Sequence, residues 1–121
     1  MTKKALVVDD SMTMREMVSR SLRDSGFETV TAGNGQEALN VLKGNRVDLI
    51  ISDVNMPVMD GLAFLENVRA SSDLKFTPIL MLTTESGVDM KERAKALGAT
   101  GWLVKPFNPE MLRKVIARVV P

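Results

Sequence analysis

The sequence predicts an α/β protein built around a doubly wound parallel sheet, because two kinds of apolar pattern alternate along its 121 residues. Short apolar runs, which suit strands buried on both faces, are each followed by a segment with the helical period of about 3.6 residues. The connections are short, as in folds whose helices cover both faces of one parallel sheet. We therefore expect one domain over residues 1–121, with five strands and five helices.

Five segments carry the strand pattern. Nearly continuous apolar runs predict three interior strands at residues 5–8, 47–51 and 78–82. Residues 28–32 alternate apolar and polar side chains, which favours a strand nearer an edge. Residues 101–104 form a short apolar segment and predict the fifth strand.

The helices are predicted from apolar stripes with start and stop residues at their ends. Asn34, with Glu37 three residues later, resembles a capping box, and Asn108 before Pro109 marks the start of the last helix. The stripes and the other end signals are Met14, Met17, Val18 and Leu22, ending at Gly26; Ala38, Val41 and Leu42; Leu62, Leu65 and Val68; a helix opened by Ser86 and Asp89 and ended by Gly98; and Met111, Leu112, Val115, Ile116 and Val119.

Composition excludes several classes of function. The net charge of +1 predicts no general attraction to nucleic acid or to an anionic membrane. The chain contains neither Cys nor His, so thiol catalysis, disulfides and Cys- or His-ligated metals are excluded, and any metal must be a hard cation held by oxygen. Without a membrane-length apolar run, a signal peptide or a coiled-coil seam, we expect a cytoplasmic monomer.

Polar residues follow the carboxyl ends of four predicted strands, where ligands of open α/β sheets bind. They are Asp9 and Asp10 after the first strand, Asp53 after the third, Thr83 and Thr84 after the fourth, and Lys105 after the fifth. Converging carboxylates repel one another, and a divalent cation removes that repulsion. Mg²⁺ takes one or two protein carboxylates in its octahedral shell, so we expect Asp10 and Asp53 to bind it, with a backbone carbonyl just after Asp53.

This set of residues predicts phosphoryl transfer to a carboxylate. An ionised Asp53 is already a nucleophile and needs no general base to form an acyl phosphate. Lys105 is expected to neutralise a phosphoryl oxygen, or to pair with Asp53 when no phosphoryl group is present, and Thr83 to donate a hydroxyl hydrogen bond. Each residue alone is typical of a cap, a turn or a solvated loop; the combination at one sheet edge carries the prediction.

Four segments, residues 7–11, 53–61, 82–85 and 105–107, resemble in sequence and order the signature of bacterial response-regulator receiver domains, especially single-domain chemotaxis regulators of the CheY type. The resemblance covers essentially the whole chain and implies a flavodoxin-like fold with strand order 2-1-3-4-5. It implies a signalling phospho-acceptor that catalyses only its own phosphorylation and dephosphorylation. The phosphoryl donor would be a phosphohistidine on a CheA-like sensor histidine kinase, or a small acyl phosphate.

The resemblance also implies a role for each site residue. Asp53 would be phosphorylated, Asp10 would bind Mg²⁺ directly, Asp9 would act through water, and the backbone carbonyl of Asn55 would complete the protein ligands. Thr83 and Lys105 would contact the phosphoryl group, and Lys105–Pro106 would be a cis peptide.

Four further residues are implied to tune or transmit the phosphorylated state. Trp102 occupies the position of an aromatic residue that turns inward as Thr83 shifts, although it also suits a statically packed Trp. Asn55 and Glu85 flank the expected phosphoryl group and are associated with a short-lived phosphorylated state. Thr84 replaces a small residue, and its bulk is able to restrict the access of a donor, a phosphatase or water.

The partner of the signalling surface is left open by the sequence. The family's surface is formed by the fourth helix, fifth strand and fifth helix, and the Lys pair typical of motor-binding members is absent from its usual place near Val88 and Met90. Trp102 also lacks the hydroxyl of the usual Tyr. Binding to the flagellar motor switch, binding to another protein, and a role as a phosphate sink therefore remain alternatives.

Two other functions are disfavoured by the first strand end. A small aspartate-nucleophile phosphohydrolase would need its nucleophile there, with a second Asp two residues later, and the sequence Asp9–Asp10–Ser11 lacks that spacing. A flavin-binding flavodoxin would place a flavin phosphate against this loop, where Asp9 and Asp10 would repel it.

Overall fold

A computed structural model of the chain describes residues 2–84 and 88–120, in which strands and helices alternate strictly. The elements are β1 Lys3–Val8, α1 Met12–Asp24, β2 Phe27–Ala32, α2 Gly35–Gly44, β3 Leu49–Asp53, α3 Gly61–Ala70, β4 Ile79–Thr83, α4 Val88–Ala96, β5 Gly101–Val104 and α5 Pro109–Val119. Within these described ranges, every helix is too short or too polar to cross a membrane.

All five strands form one parallel sheet in the order β2-β1-β3-β4-β5. This confirms the predicted doubly wound, flavodoxin-like topology. Side chains that alternate along β1 point into two apolar layers, with Leu6 and Val8 packing on the side of α2, α3 and α4, and Ala5 and Val7 on the side of α1 and α5. The interior strands are thus covered on both faces, as their continuous apolar runs predicted.

The third strand lies two residues further along the chain than the apolar run predicted. It spans Leu49–Asp53, although Val47 is also buried. Asp48 is bound to β1 by two hydrogen bonds: its N–H donates to the carbonyl of Lys4 at 2.7 Å, and its Oδ2 accepts from the N–H of Lys4 at 2.9 Å. The shift brings Asp53 into the last position of a buried strand.

The fourth strand begins one residue later than predicted. Pro78 has no N–H to give to the ladder, so the strand starts at Ile79, while the Pro78 carbonyl accepts from the N–H of Ile50 at 2.9 Å. The strand ends at Thr83, one residue beyond Leu82, the register partner of Asp53 at the end of β3.

Most of the predicted helix ends are confirmed. The Asn34 side chain accepts from the Glu37 N–H, and the Asn108 side chain accepts from two N–H groups of the first turn of α5. Gly26 and Gly98 follow their helices with φ values of 91° and 102°, which only glycine adopts readily. Asp60, whose capping role was not predicted, accepts from the N–H of Ala63 to begin α3. The predicted start of α4 at Ser86 lies outside the described residues.

Candidate functional site

The polar residues predicted at the strand ends meet at the carboxyl edge of the sheet. Carboxylate oxygens of Asp9, Asp10 and Asp53 lie within 4.8 Å of one another. Asp9 and Asp53 are buried, while Asp10 is exposed. The cluster therefore has two fixed acids at its base and one solvent-facing acid at its mouth.

Asp9 is fixed by contacts to each of its polar groups and is only 2% exposed. Its N–H donates to the carbonyl of Ala32 at 3.1 Å, which extends the β1–β2 pairing by one residue. Its Oδ1 accepts from the N–H of Ser11 at 2.9 Å, and its Oδ2 accepts from Lys105 Nζ at 2.8 Å. Its carbonyl accepts from Nη1 of Arg15 at 2.8 Å, a contact that the sequence analysis did not foresee.

Lys105 lies between two carboxylates. Its Nζ is 2.8 Å from Asp9 Oδ2 and 3.3 Å from Asp53 Oδ1. The expected pair with Asp53 is present, but the shorter contact is with Asp9, which was not predicted as its partner. The Lys105–Pro106 peptide is cis, as predicted. Burial alone would lower the pKa of Lys105, but its hydrogen bond with Asp9 and the charges of both acids raise it, so the ammonium stays charged.

Asp53 is held from both its side chain and its backbone. The N–H of Val54 donates to Asp53 Oδ1 at 2.8 Å, and the hydroxyl of Ser52 donates to the Asp53 carbonyl at 2.9 Å. Gly61 packs directly behind that carbonyl, and a methyl group at this glycine would overlap with the carbonyl oxygen. The position of the carboxylate is thus set by close backbone packing from α3.

The electrostatic environment of Asp53 is unfavourable to its negative charge. Burial raises its pKa, and the neighbouring charge of Asp9 raises it further. Lys105 and the N–H of Val54 act in the opposite direction but do not cancel the rise. Three carboxylates thus share this corner with one ammonium group, and an additional positive charge at the cluster would relieve the imbalance.

The remaining predicted site residues differ in exposure. Thr83 is fully buried at the end of β4, and its carbonyl accepts from the N–H of Lys105 at 2.7 Å. Thr84 and Asn55 are exposed next to the site, where their side chains face solvent. Glu85 lies outside the described residues, so its predicted tuning role stays a prediction.

Trp102 lies on β5, three residues before Lys105. It is half-buried and packs against the apolar layer on the side of α2, α3 and α4, and its register partner on β4 is Met81. The indole is therefore separated along β5 from the acid cluster.

Sequence reasoning missed two residues that support the cluster. Arg15 binds the Asp9 carbonyl, and Gly61 leaves room for the Asp53 carbonyl. Gly61 carried a signal in the Asp60–Gly61 pair that precedes the apolar stripe of α3, whereas the position of Arg15 one helical turn after Ser11 gives no hint of where its side chain points.

The donor set suits Mg²⁺. All of the clustered acidic groups offer oxygen, which is the ligand atom that Mg²⁺ prefers, and Asp10 remains open to solvent. Both carboxylate oxygens of Asp9 already accept hydrogen bonds, from the Ser11 N–H and from Lys105 Nζ, whereas the contacts of Asp53 with Lys105 and Val54 both involve Oδ1. The carboxylates with an oxygen outside these contacts are therefore those of Asp10 and Asp53. Direct ligation by these two acids stays a prediction.

Comparison with known proteins identifies close relatives. Residues 5–117 match the family model of the response regulator receiver domain. The chain is 40% identical over 117 residues to chemotaxis protein CheY-3 of Vibrio cholerae, covering 96% of this chain and 90% of the relative. The structure of chemotaxis response regulator CheY4 of Vibrio cholerae is 57% identical and superposes with a TM-score of 0.92, covering 98% of this chain and 99% of that one.

A more distant structure also has the same fold. The receiver domain of a Pseudomonas aeruginosa sensor histidine kinase is 25% identical and superposes with a TM-score of 0.90, covering 99% of this chain and 98% of that one. That protein has a magnesium ion coordinated in its active site cleft.

Proposed function

This chain belongs to the response regulator receiver family and is closely related to CheY chemotaxis response regulators, and from that premise we propose that Asp53 is the residue that accepts the phosphoryl group. The observation that carries the assignment is the contact of Asp53 Oδ1 with Lys105 Nζ at 3.3 Å inside a cluster of three carboxylates. Asp10 and Asp9 supply neighbouring charge, but Asp9 is already engaged by Lys105 and Ser11.

The transfer step uses an oxygen of the ionised Asp53 carboxylate as the nucleophile. A bond forms between this oxygen and phosphorus, the bond from phosphorus to the donor atom breaks, and the electron pair of that bond stays with the leaving group. Lys105 stabilises the negative charge on the phosphoryl oxygens, and we assign to the Thr83 hydroxyl a hydrogen bond to one of them. The product is an acyl phosphate on Asp53.

Asp10 and Asp53 would hold Mg²⁺ directly, with the backbone carbonyl of Asn55 as a third protein ligand and Asp9 acting through water. When bound, Mg²⁺ neutralises charge on the transferring phosphoryl group. The buried pair of Asp9 and Asp53 favours this arrangement, because burial and the charge of Asp9 raise the pKa of Asp53 and a cation beside the two acids would offset both effects.

The donor that fits this chemistry is a phosphohistidine on a CheA-like sensor histidine kinase. A neutral imidazole is a good leaving group, and the exposed mouth at Asp10 leaves an approach for a protein partner. Water would then return Asp53 to its carboxylate, and we assign the tuning of this rate to Asn55, Thr84 and Glu85 on the strength of the family resemblance.

The response is proposed to reach a protein effector through α4, β5 and α5. Trp102 is half-buried on β5, and Lys105 directly follows the last residue of this strand, so movement of Lys105 toward a phosphoryl group would displace the end of β5. The flagellar motor switch is one candidate effector, and the substituted positions in early α4 leave other proteins as candidates.

The proposal is tested by incubating the purified protein with Mg²⁺ and acetyl phosphate and measuring its intact mass. We expect the mass of one phosphoryl group to appear on the wild type and to be absent from Asp53→Asn. Asp60→Asn is the matched control, because Asp60 lies at the other end of the loop that follows Asp53 and Asn also caps helices well. Phosphorylation of Asp53→Asn to the wild-type extent, or no mass gain in the wild type, would overturn the assignment.

A further inference from the structure

The Arg15 side chain contacts the backbone between the two acids of the first loop, Asp9 and Asp10. Its Nη1 donates to the Asp9 carbonyl at 2.8 Å, and that carbonyl belongs to the same planar peptide unit as the N–H of Asp10. The bond therefore restrains the plane of the Asp9–Asp10 peptide, from which the Asp10 side chain projects.

The Asp9 carbonyl needs such a partner. Asp9 comes directly after the end of β1 and is buried, so a carbonyl without a hydrogen bond would carry the cost of an unsatisfied polar group. The next residues leave the strand and enter α1, which starts with Ser11 as its cap. Arg15 lies one turn into α1 and reaches back over this turn to the carbonyl.

The guanidinium is itself held in place. The backbone N–H of Arg15 donates to the Ser11 carbonyl at 2.9 Å, which places its Cα at a set position in the first turn of α1. Gly33 lies beneath the guanidinium, because a methyl group added there would be 3.4 Å from Arg15 Nη1 and 3.4 Å from Glu37 Oε2. The side chain is half-buried between the β1 loop and the start of α2.

We propose that Arg15 is a positioning residue that orients the Asp10 carboxylate for Mg²⁺ by fixing the preceding peptide. This inference rests on the proposed magnesium site, and it adds a residue that touches neither the metal nor the phosphoryl group. Residues that orient metal ligands in this indirect way commonly change metal affinity by about tenfold or more when they are replaced.

Arg15→Met distinguishes a positioning role from a purely electrostatic role, because the two predict opposite changes in Mg²⁺ affinity. Removing the positive charge of Arg15, which contacts the carbonyl of Asp9, would by itself strengthen the binding of a cation to the acid cluster. Releasing the Asp9–Asp10 peptide weakens it, and we expect the Mg²⁺ dissociation constant to rise about tenfold in isothermal titration calorimetry. Phosphorylation by acetyl phosphate should return close to the wild-type rate at saturating Mg²⁺.

A second measurement does not depend on metal or activity. In the metal-free protein, the Ser11 N–H is bonded to Asp9 Oδ1 at 2.9 Å, so its hydrogen exchange reports the order of this loop. We expect this amide to exchange at least several-fold faster in Arg15→Met, with unchanged exchange in the centre of β4. Arg20→Met on the exposed face of α1 is the matched control and should behave as the wild type in both measurements.

Arg15→Lys keeps the charge and one donor, and we expect its Mg²⁺ affinity to lie between those of the wild type and Arg15→Met. If Arg15→Met does not fold, as judged by circular dichroism, Arg15→Lys carries the test with the same two measurements. Wild-type or tighter Mg²⁺ binding, or unchanged exchange at Ser11, overturns the positioning role. Because neither measurement involves Asp53 chemistry, that result would leave the proposed function standing, and failure of phosphorylation in the wild type would be seen separately.

Discussion

β4 and β5 are hydrogen-bonded neighbours in one sheet, yet they offer very different environments to their side chains. All five residues of β4 are buried, while the four described residues of β5 are half-buried or exposed, with Val104 43% exposed. β4 lies between two strands and under helices on both faces, whereas β5 forms the edge of the sheet.

The difference suggests a division of labour between the two sides of the site. Asp53 and Thr83 end strands that are packed on all sides, so their geometry is fixed before any partner arrives. Trp102 and the approach to Lys105 lie on the strand with the least packing, where a second arrangement costs the least free energy. A receiver needs both a fixed site and a part that can rearrange, and in this fold the two lie on neighbouring strands.

The largest expected effect comes from truncating paired leucines on these strands. Leu82 on β4 and Leu103 on β5 are register partners that pack into the same apolar layer, but Leu103 is only half-buried. We expect Leu82→Ala to lower the free energy of unfolding by about 3–4 kcal/mol and Leu103→Ala by about 1–1.5 kcal/mol in urea titrations. Equal losses would contradict the comparison, because they would mean that β5 is packed as tightly as β4.

Adding one methyl group at Gly61 tests how rigid the buried side of the site is, meaning the ends of β3 and β4 with Asp53 and Thr83. The new group would overlap with the Asp53 carbonyl and lie 2.8 Å from Val54 Cα, so the backbone that carries the carboxylate would have to move. We expect Gly61→Ala to lower the free energy of unfolding by about 2 kcal/mol and to slow phosphorylation by acetyl phosphate.

Gly44→Ala is the matched control for Gly61→Ala. A methyl group at Gly44 meets open space at the end of α2, so we expect a gain of about 0.5 kcal/mol and an unchanged phosphorylation rate. Equal tolerance of the two substitutions would show that the packing behind Asp53 yields more readily than the structure indicates.

The charge of Asp53 should cost stability that depends on pH. Its pKa is raised in the folded protein by burial and by Asp9. Above that pKa the carboxyl group is ionised in both states, and its ionisation costs more free energy in the folded state than in the unfolded state, so the folded protein is destabilised. We expect Asp53→Asn to raise the free energy of unfolding, and with it the Tm, near neutral pH without Mg²⁺. The gain should shrink as the pH falls through the raised pKa.

The pH profile also distinguishes Asp53 from Lys105. The pKa of Lys105 is raised in the folded state despite its burial, through Asp9 and Asp53, so its stabilising contribution is lost only as the pH rises through that value in alkaline solution. Asp60→Asn, an exposed cap replaced by another good cap, is the matched control. A pH-independent gain from Asp53→Asn would show that shape rather than charge is responsible.

Much of the buried side could be predicted from sequence, because its signals are local. Continuous apolar runs predicted the interior strands, and Asn34 and Asn108 predicted helix starts that the structure confirms. The boundaries of β3 and β4 differ from the predicted ones, because a backbone pairing at Asp48 and the missing N–H of Pro78 decide where each strand begins to pair.

The finer contacts of the site could not be predicted, because they depend on distances between segments far apart in the chain. Lys105 and Asp9 are 96 positions apart in the chain. Lys105 Nζ lies 2.8 Å from Asp9 and 3.3 Å from Asp53, and the sequence cannot reveal so small a difference in distance. The contact from Arg15 to a backbone carbonyl leaves no residue pattern, since any residue has a carbonyl to offer. The acid cluster itself was predictable, because strand ends of a parallel sheet share one edge.

The smallest expected effect concerns Val58, in the loop that joins β3 to α3. Its φ of 69° lies in the left-handed region, and the N–H of Met59 donates to the Pro57 carbonyl at 2.7 Å, which closes a three-residue turn around Val58. A β-branched residue is unfavourable in this region, and the side chain is 84% exposed, so little packing offsets the strain. Asn adopts left-handed φ values more readily, and we expect Val58→Asn to raise the free energy of unfolding by about 0.5–1 kcal/mol.

Val104→Asn on β5 is the informative contrast, because Val104 is also exposed but lies in an ordinary strand. There the same substitution removes a β-branched residue from a position that favours it, and we expect a loss of a few tenths of a kcal/mol in urea titrations. A gain in the free energy of unfolding at Val58 and a loss at Val104 would show that the backbone strain belongs to the loop behind Asp53 and not to the edge strand. A loss at both positions would contradict this, since it would mean that the turn at Val58 relaxes in solution and that the buried side is less constrained than its packing suggests.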